Sequence, residues 1–221
     1  MYRERVTRWQ APTRQLQTHM KTTHFSRMRS FPALALAGAA GVTFAEGPSF
    51  PCDRVEAGSI EELVCRDSAL SGLDRSLAET YAAAQAKAVN EHPPVLKTEQ
   101  TGWIKGRNDC WKSDDVVGCV RAEYERRIAE LQARYRLVDA TGPFGFMCNG
   151  EPANEVIVTY FATQPPSLIA ERGDSVSLMF LQPDDTGESY RGRNESLRLS
   201  GDEALVIWGY QMPEMRCRQS R

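Results

Sequence analysis

The sequence predicts an α+β chain in two segregated domains: an N-terminal all-α, disulfide-linked helical domain, then an all-β small antiparallel barrel or sandwich. Three observations predict it. Apolar residues recur at helical spacing as far as about residue 139. From Thr141 the period shortens into β-rich runs separated by turn-forming residues. Six cysteines, all from Cys52 onward, follow a leader of the kind that directs export.

The first 45 residues carry seven Lys/Arg against one acid and end in an apolar run, FPALALAGAAGVTFA, from Phe31 to Ala45. That is the layout of a signal peptide, with Thr43 and Ala45 as small residues before a cut at Glu46. Met20 or Met28 would serve equally well as its start. At 15 residues, interrupted by Gly and Pro, the run is short for a membrane span, so no span is expected in the mature chain. The expected organisation is therefore a leader over 1–45, a helical domain over 46–139 and a β domain over 140–221 in a periplasmic or secreted protein.

At 221 residues, 41% hydrophobic and 25% charged, the chain has the balance of a globular protein with a real core. Removing seven of the 27 Lys/Arg and one of the 29 Asp/Glu with the leader leaves a net charge of −8. Such a chain steers basic partners toward itself and repels nucleic acid. His92 is the one histidine after the leader, which leaves no material for a His-dependent triad or a multi-His metal site. No cofactor and no enzymatic activity are expected. No two cysteines have C-x2-C spacing, so Cys52, Cys65, Cys110, Cys119, Cys148 and Cys217 read as disulfide partners rather than metal ligands.

Ser59-Ile-Glu-Glu62 forms a capping box ahead of the first helical segment, and Ser71-Gly-Leu-Asp74 offers a second cap before an Ala-rich stretch. There Leu73, Leu77, Tyr81, Ala84 and Ala88 share one face, until His92-Pro93-Pro94 stops the helix. A third helix is expected from Val95 to Cys110. A fourth, from Asp115, places Val117, Val120, Tyr124, Ile128, Leu131 and Tyr135 on one stripe. Local pairing, Cys52 with Cys65 and Cys110 with Cys119, competes with a stapled form, Cys52 with Cys110 and Cys65 with Cys119. The stapled form is slightly preferred, because longer loops remove more unfolded-state entropy.

Six runs, FGFMCNG, EVIVTYFA, SLIAE, SVSLMFLQ, ESLRLS and EALVIWGY, alternate with EPAN, TQPP, RGD, PDDTGE and SGD. Six or more short strands follow, with LVDATGP over 137–143 as the linker.

Two stretches resemble known families. Residues 49–131 resemble the LprI N-terminal-type domain of secreted and periplasmic bacterial proteins. The matching positions include Cys52, Glu62, Cys65, Leu73, Asp74, Tyr81, Gln100, Trp103, Arg107, Cys110, Cys119, Tyr124 and Arg127. Residues 146–217 resemble the MliC-type domain, the inhibitor of c-type lysozyme, through Phe146-x-Cys148, Thr186-Gly187-Glu188-Ser189-Tyr190 and Ser200-Gly201-Asp202-Glu203-Ala204. The resemblance implies a small antiparallel barrel closed by a Cys148 to Cys217 disulfide. It also implies a basic lysozyme as partner, its cleft occluded by barrel loops.

The lysozyme-binding residues so implied are Thr186, Gly187, Tyr190, Arg191, Arg193 and Ser200. Thr186 would supply a hydroxyl to the lysozyme carboxylates. Ser200 stands where the family has Lys, and residues 140–221 contain no Lys at all. The compensating cation would be Arg191, Arg193 or Arg198, since guanidinium binds carboxylate in bidentate fashion. The alternative function is a non-inhibitory module that binds another envelope protein or peptidoglycan. Trp103 and Arg107, one turn apart, fit either an exposed aromatic-cation patch or, more commonly, helix core under an Arg lid. Asp184, Asp185 and Glu188 read as a solvated turn rather than a calcium loop, and Asp202-Glu203 as a turn.

Overall fold

In the computed structural model, which describes residues 47–183 and 188–220, the first helix starts at a capping box. Ser59 Oγ accepts the Glu62 N–H at 3.1 Å, and Glu62 Oε2 accepts the Gly58 N–H at 2.7 Å. This opens α1 (Ile60–Arg66). Asp67 then ends α1 and caps α2 (Ser68–Lys87) by accepting the N–H groups of Ala69 and Leu70. The second cap expected at Ser71 to Asp74 is therefore corrected. With Asp67 capping a turn earlier, both residues fall on the buried face of α2. There Ser71 Oγ donates to the Val64 carbonyl at 2.7 Å and ties α2 to α1.

After the turn around Pro93 and Pro94 comes α3 (Val95–Asn108), continued by a 3-10 turn at Asp109–Lys112, so the α-helix stops two residues short of the expected Cys110. Asp115 caps α4 (Val116–Arg134) through the Gly118 N–H. Val64, Leu70, Leu77, Ala84, Val120, Tyr124, Ile128 and Leu131 form the helical core. Val117, expected in that stripe, is exposed; Val116, one turn before Val120, packs inward in its place.

The helical disulfides are the local ones, Cys52–Cys65 and Cys110–Cys119, which corrects the preference for the stapled form. The 3-10 turns at Cys52–Arg54 and Asp109–Lys112 bring the paired Cα atoms to 5.9 and 5.7 Å within short loops.

Trp103 and Arg107 belong to the core. The Trp103 indole meets Tyr124 edge-on with centroids 5.2 Å apart, and the Arg107 guanidinium lies over both rings. Arg107, only 4% exposed, donates to Tyr124 Oη at 2.7 Å and forms an ion pair with Glu61. Tyr124 Oη donates onward to Asp74 Oδ1 at 2.9 Å, while Asp74 Oδ2 accepts both the N–H and the hydroxyl of Ser49. Arg107 is thus ion-paired and the Asp74 carboxylate accepts three hydrogen bonds, and satisfaction of its buried charged groups is the condition for a polar network to stabilise a core.

The sheet has eight strands: β1 (Ala140–Cys148), β2 (Glu155–Phe161), β3 (Ser167–Arg172), β4 (Ser175–Gln182), β5 (Ser189–Arg191), β6 (Glu195–Ser200), β7 (Glu203–Trp208) and β8 (Met215–Gln219). They pair antiparallel in sequence order and close into a barrel. The expected linker over 137–143 is shorter than the composition indicated, because β1 starts at Ala140 and absorbs Gly142 and Pro143 at an irregularity in its pairing with β2. Closure comes from pairing of β1 with β8, where Cys148 faces Cys217 in register and the disulfide joins them.

The inward set includes Phe146, Val156, Val158, Leu168, Met179, Tyr190, Leu197 and Val206. β3 departs from alternation because it is covered on both sides. Leu168 and Ala170 point into the barrel, whereas Ile169 joins Ala133 of α4 and Phe161 in a separate cluster outside it. Arg126 stacks over Phe180, 4.7 Å from the ring centroid, at the same junction. Among the described residues no helix is long and apolar enough to cross a membrane.

Two stability outcomes follow. Replacing Tyr124 by Phe leaves Asp74 and Arg107 each short of a buried partner, and urea denaturation should show a loss of about 1–3 kcal/mol. Cys148→Ser with Cys217→Ser opens a 69-residue separation, and on the loop-entropy model the same assay should show a loss of about 4 kcal/mol.

Candidate functional site

Strand direction places two connections at one end of the barrel. The β4–β5 segment enters β5 at Glu188 and Ser189, and the β6–β7 turn occupies Gly201 and Asp202. The Leu199 N–H donates to the Glu188 carbonyl at 2.9 Å, so the two lie side by side. Gly201 has φ +63°, the left-handed conformation that this tight turn requires and that glycine adopts without strain. Thr186 and Gly187, together with Asp184 and Asp185, lie outside the described residues.

Among the described residues the barrel is open between these connections. Phe144, Phe146, Tyr160, Tyr190 and Leu199 form the wall of a cavity of about 660 Å³, with Thr141, Glu188, Gly201 and Gln219 at its rim. Tyr190 is 6% exposed and faces inward, its ring edge-on to Tyr160 with centroids 5.9 Å apart. Burial holds the phenols of Tyr160 and Tyr190 above the ordinary tyrosine value, and the Glu188 carboxylate adds to the shift of each.

Ser200 is exposed on the outer face of β6. Register gives its surroundings: Ser200 faces Glu203, Glu203 faces Arg218, and Arg218 faces Met147. The neighbouring row is Ser189, Arg198, Leu205, Arg216. Arg198 is thus two residues, about 7 Å, from Ser200 on the same face. Arg218 Nη2 donates to Glu203 at 2.8 Å. Arg198, Arg216 and Arg218 line a second hollow of about 700 Å³ that also takes in Ser200 and Leu205.

The structure does not bring Arg191 or Arg193 to Ser200. Arg191 faces Ser196, four residues and about 13 Å along β6. Arg193 sits in the β5–β6 turn at the opposite end of the barrel. Arg218 was missed by sequence reasoning because MRCRQ is too charged to read as a strand. Its alternation around the inward Cys217 is the signal that would have found it. Among the described residues no group of three or more His, Cys, Asp or Glu is placed to hold a metal ion.

The tyrosines set an alkaline limit. Tyr135 is pushed up to about 12 by burial and by its hydrogen bond to Glu91, and Tyr160 and Tyr190 are also raised. An unfolded phenol ionises near pH 10, so the unfolded chain releases these protons first. The stability they contribute is complete below about pH 10 and is lost as pH rises through the folded values. Thermal midpoints should therefore drop between pH 10 and 12, less steeply in a Tyr160→Phe, Tyr190→Phe variant.

Comparison with known proteins adds three findings. Residues 146–215 match the family model described as membrane-bound lysozyme-inhibitor of c-type lysozyme, MliC. The proteins named lipoprotein LprI from Mycobacterium bovis and from two strains of Mycobacterium tuberculosis are each 24% identical over 166 residues, 75% of this chain and 77% of theirs. No solved structure matches. An LprI-like helical region thus precedes an MliC-type barrel.

Proposed function

We propose that this chain inhibits a c-type lysozyme by laying the mouth end of its barrel across the lysozyme cleft. The observation that carries the reading is the adjacency of the segment leading into β5 and the β6–β7 turn, within the region that matches the inhibitor family. A c-type lysozyme cleaves glycan between one protonated and one ionised carboxylate. A hydroxyl and a cation held on a rigid barrel can hydrogen-bond and ion-pair with those groups and exclude substrate, with no chemistry by the inhibitor.

In this chain Thr186 supplies the hydroxyl, Gly187 lets the backbone approach closely, and Tyr190 anchors the start of β5 from inside the barrel. Ser200 leaves the place of a lysine, and Arg198 and Arg218 are cations that strand register puts close to it. The net charge of −8 after the leader favours encounter with a basic enzyme outside the cytoplasm. The leader is cut near Ala45, and 46–139 and 140–221 are the two domains of the exported protein.

The test is a cell-wall lysis assay with hen-type lysozyme. The full mature chain should slow lysis at micromolar protein. Thr186→Ala should raise the inhibition constant by about tenfold, the scale of one hydrogen bond to a charged group. Arg198→Ala with Arg218→Ala should weaken inhibition further. No inhibition by the wild-type chain, with Ser200→Lys alone creating it, would show that the family's activity has gone from this barrel.

A further inference from the structure

The barrel mouth has features that occlusion of a lysozyme does not use. Its floor is aromatic, with Phe144, Tyr160 and Tyr190 in edge or tilted contact. Tyr190 is 6% exposed, but its hydroxyl and that of Tyr160 make no hydrogen bond among the described residues and are not among the sealed-off buried polar atoms, so both are open to the cavity. The rim presents the Glu188 carboxylate and the Gln219 amide. At about 660 Å³ the cavity falls within the range of small-molecule sites, and the mouth of a β-barrel is a recurrent place for one.

From this arrangement we infer that the mouth is a binding site for a pyranose sugar. The two kinds of group sort the ligand chemistry. Aromatic faces accept the C–H faces of a sugar ring, and phenol, amide and carboxylate groups at its edge accept or donate to its hydroxyls. A straight alkyl chain would fill the same floor but leave both tyrosine hydroxyls unpaired and cut off from water, which opposes binding. A multiply charged anion would meet Glu188 at the entrance. The site is independent of the inhibitor reading, although a lysozyme seated on the mouth end would cover it.

The experiment is a titration of the full mature chain, in the absence of lysozyme, with tri-N-acetylglucosamine and with cellotriose, followed by tyrosine-ring resonances and by saturation transfer to the sugar. Saturable binding of at least one trisaccharide at millimolar concentration or below is expected. Tyr160→Phe and Tyr190→Phe, which keep the rings, should each weaken it at least fivefold with little change in melting. Gln219→Ala on the exposed rim should weaken it as well, and serves if a core variant fails to fold. Absence of saturable binding by both sugars would overturn the proposal. So would affinities unchanged in all three variants, or binding of dodecanoate in place of the sugars. Since no lysozyme is present, this outcome is separate from that of the lysis assay.

Discussion

Pairing of β1 with β8 is the constraint on which the rest of the barrel depends. Eight short strands, one of them only three residues long, would leave two unpaired edges in an open sheet. Closure removes both edges, and the Cys148–Cys217 disulfide fastens the seam at a buried pair of register partners. The consequence for function is geometric. Because the strands run up and down in sequence order, closure brings the start of β5, the β6–β7 turn and the end of β8 around one opening. It also sets Met147 of β1 beside Arg218 of β8, which extends the row Ser200, Glu203, Arg218 across the seam, a neighbour that an unclosed sheet would lack.

The helical half is held by a different device. Asp74, Tyr124, Arg107 and Glu61 connect α1, α2, α3 and α4 through charge-assisted hydrogen bonds beneath Trp103. Asp74, Arg107 and Tyr124 are among the residues that give this half its resemblance to a known domain type, and here they form its polar core with Glu61. α4 then serves both halves, packing Tyr124 and Leu131 into the helical core and Ala133 against Ile169 and Phe161 of the barrel wall. The covering of β3 by α4 leaves the mouth end and the β6 to β8 face exposed.

Much of this was legible in the sequence, and the exceptions have physical causes. Helix existence followed from the 3.6-residue stripe and the Ser59 box, but the start of α2 did not. Asp67 and Ser71 are both good caps, and only packing against Val64 decides between them. β2 and β4 announced themselves through β-branched and aromatic residues. β5 and β8 did not, since Ser189–Arg191 is too short and Met215–Gln219 too charged for period-two patterning to register. For the same reason the site was half legible. The loops were located by their turn residues, whereas the cations beside Ser200 depend on strand register, which turn composition does not fix. Local disulfide pairing was one of two open forms, and the 3-10 turns that select it carry no strong sequence mark.

The central claim is that the mouth end of the barrel is the face that meets a lysozyme. Amide hydrogen exchange of the full mature chain, with and without a saturating hen-type lysozyme, tests it most directly. Added protection is expected at Glu188 to Tyr190, at Leu199 to Glu203 and at Gln219, with the β5–β6 turn at Gly192 to Asn194 unchanged. Protection confined to that opposite turn or to the helical half, or no change anywhere at saturating enzyme, would contradict it.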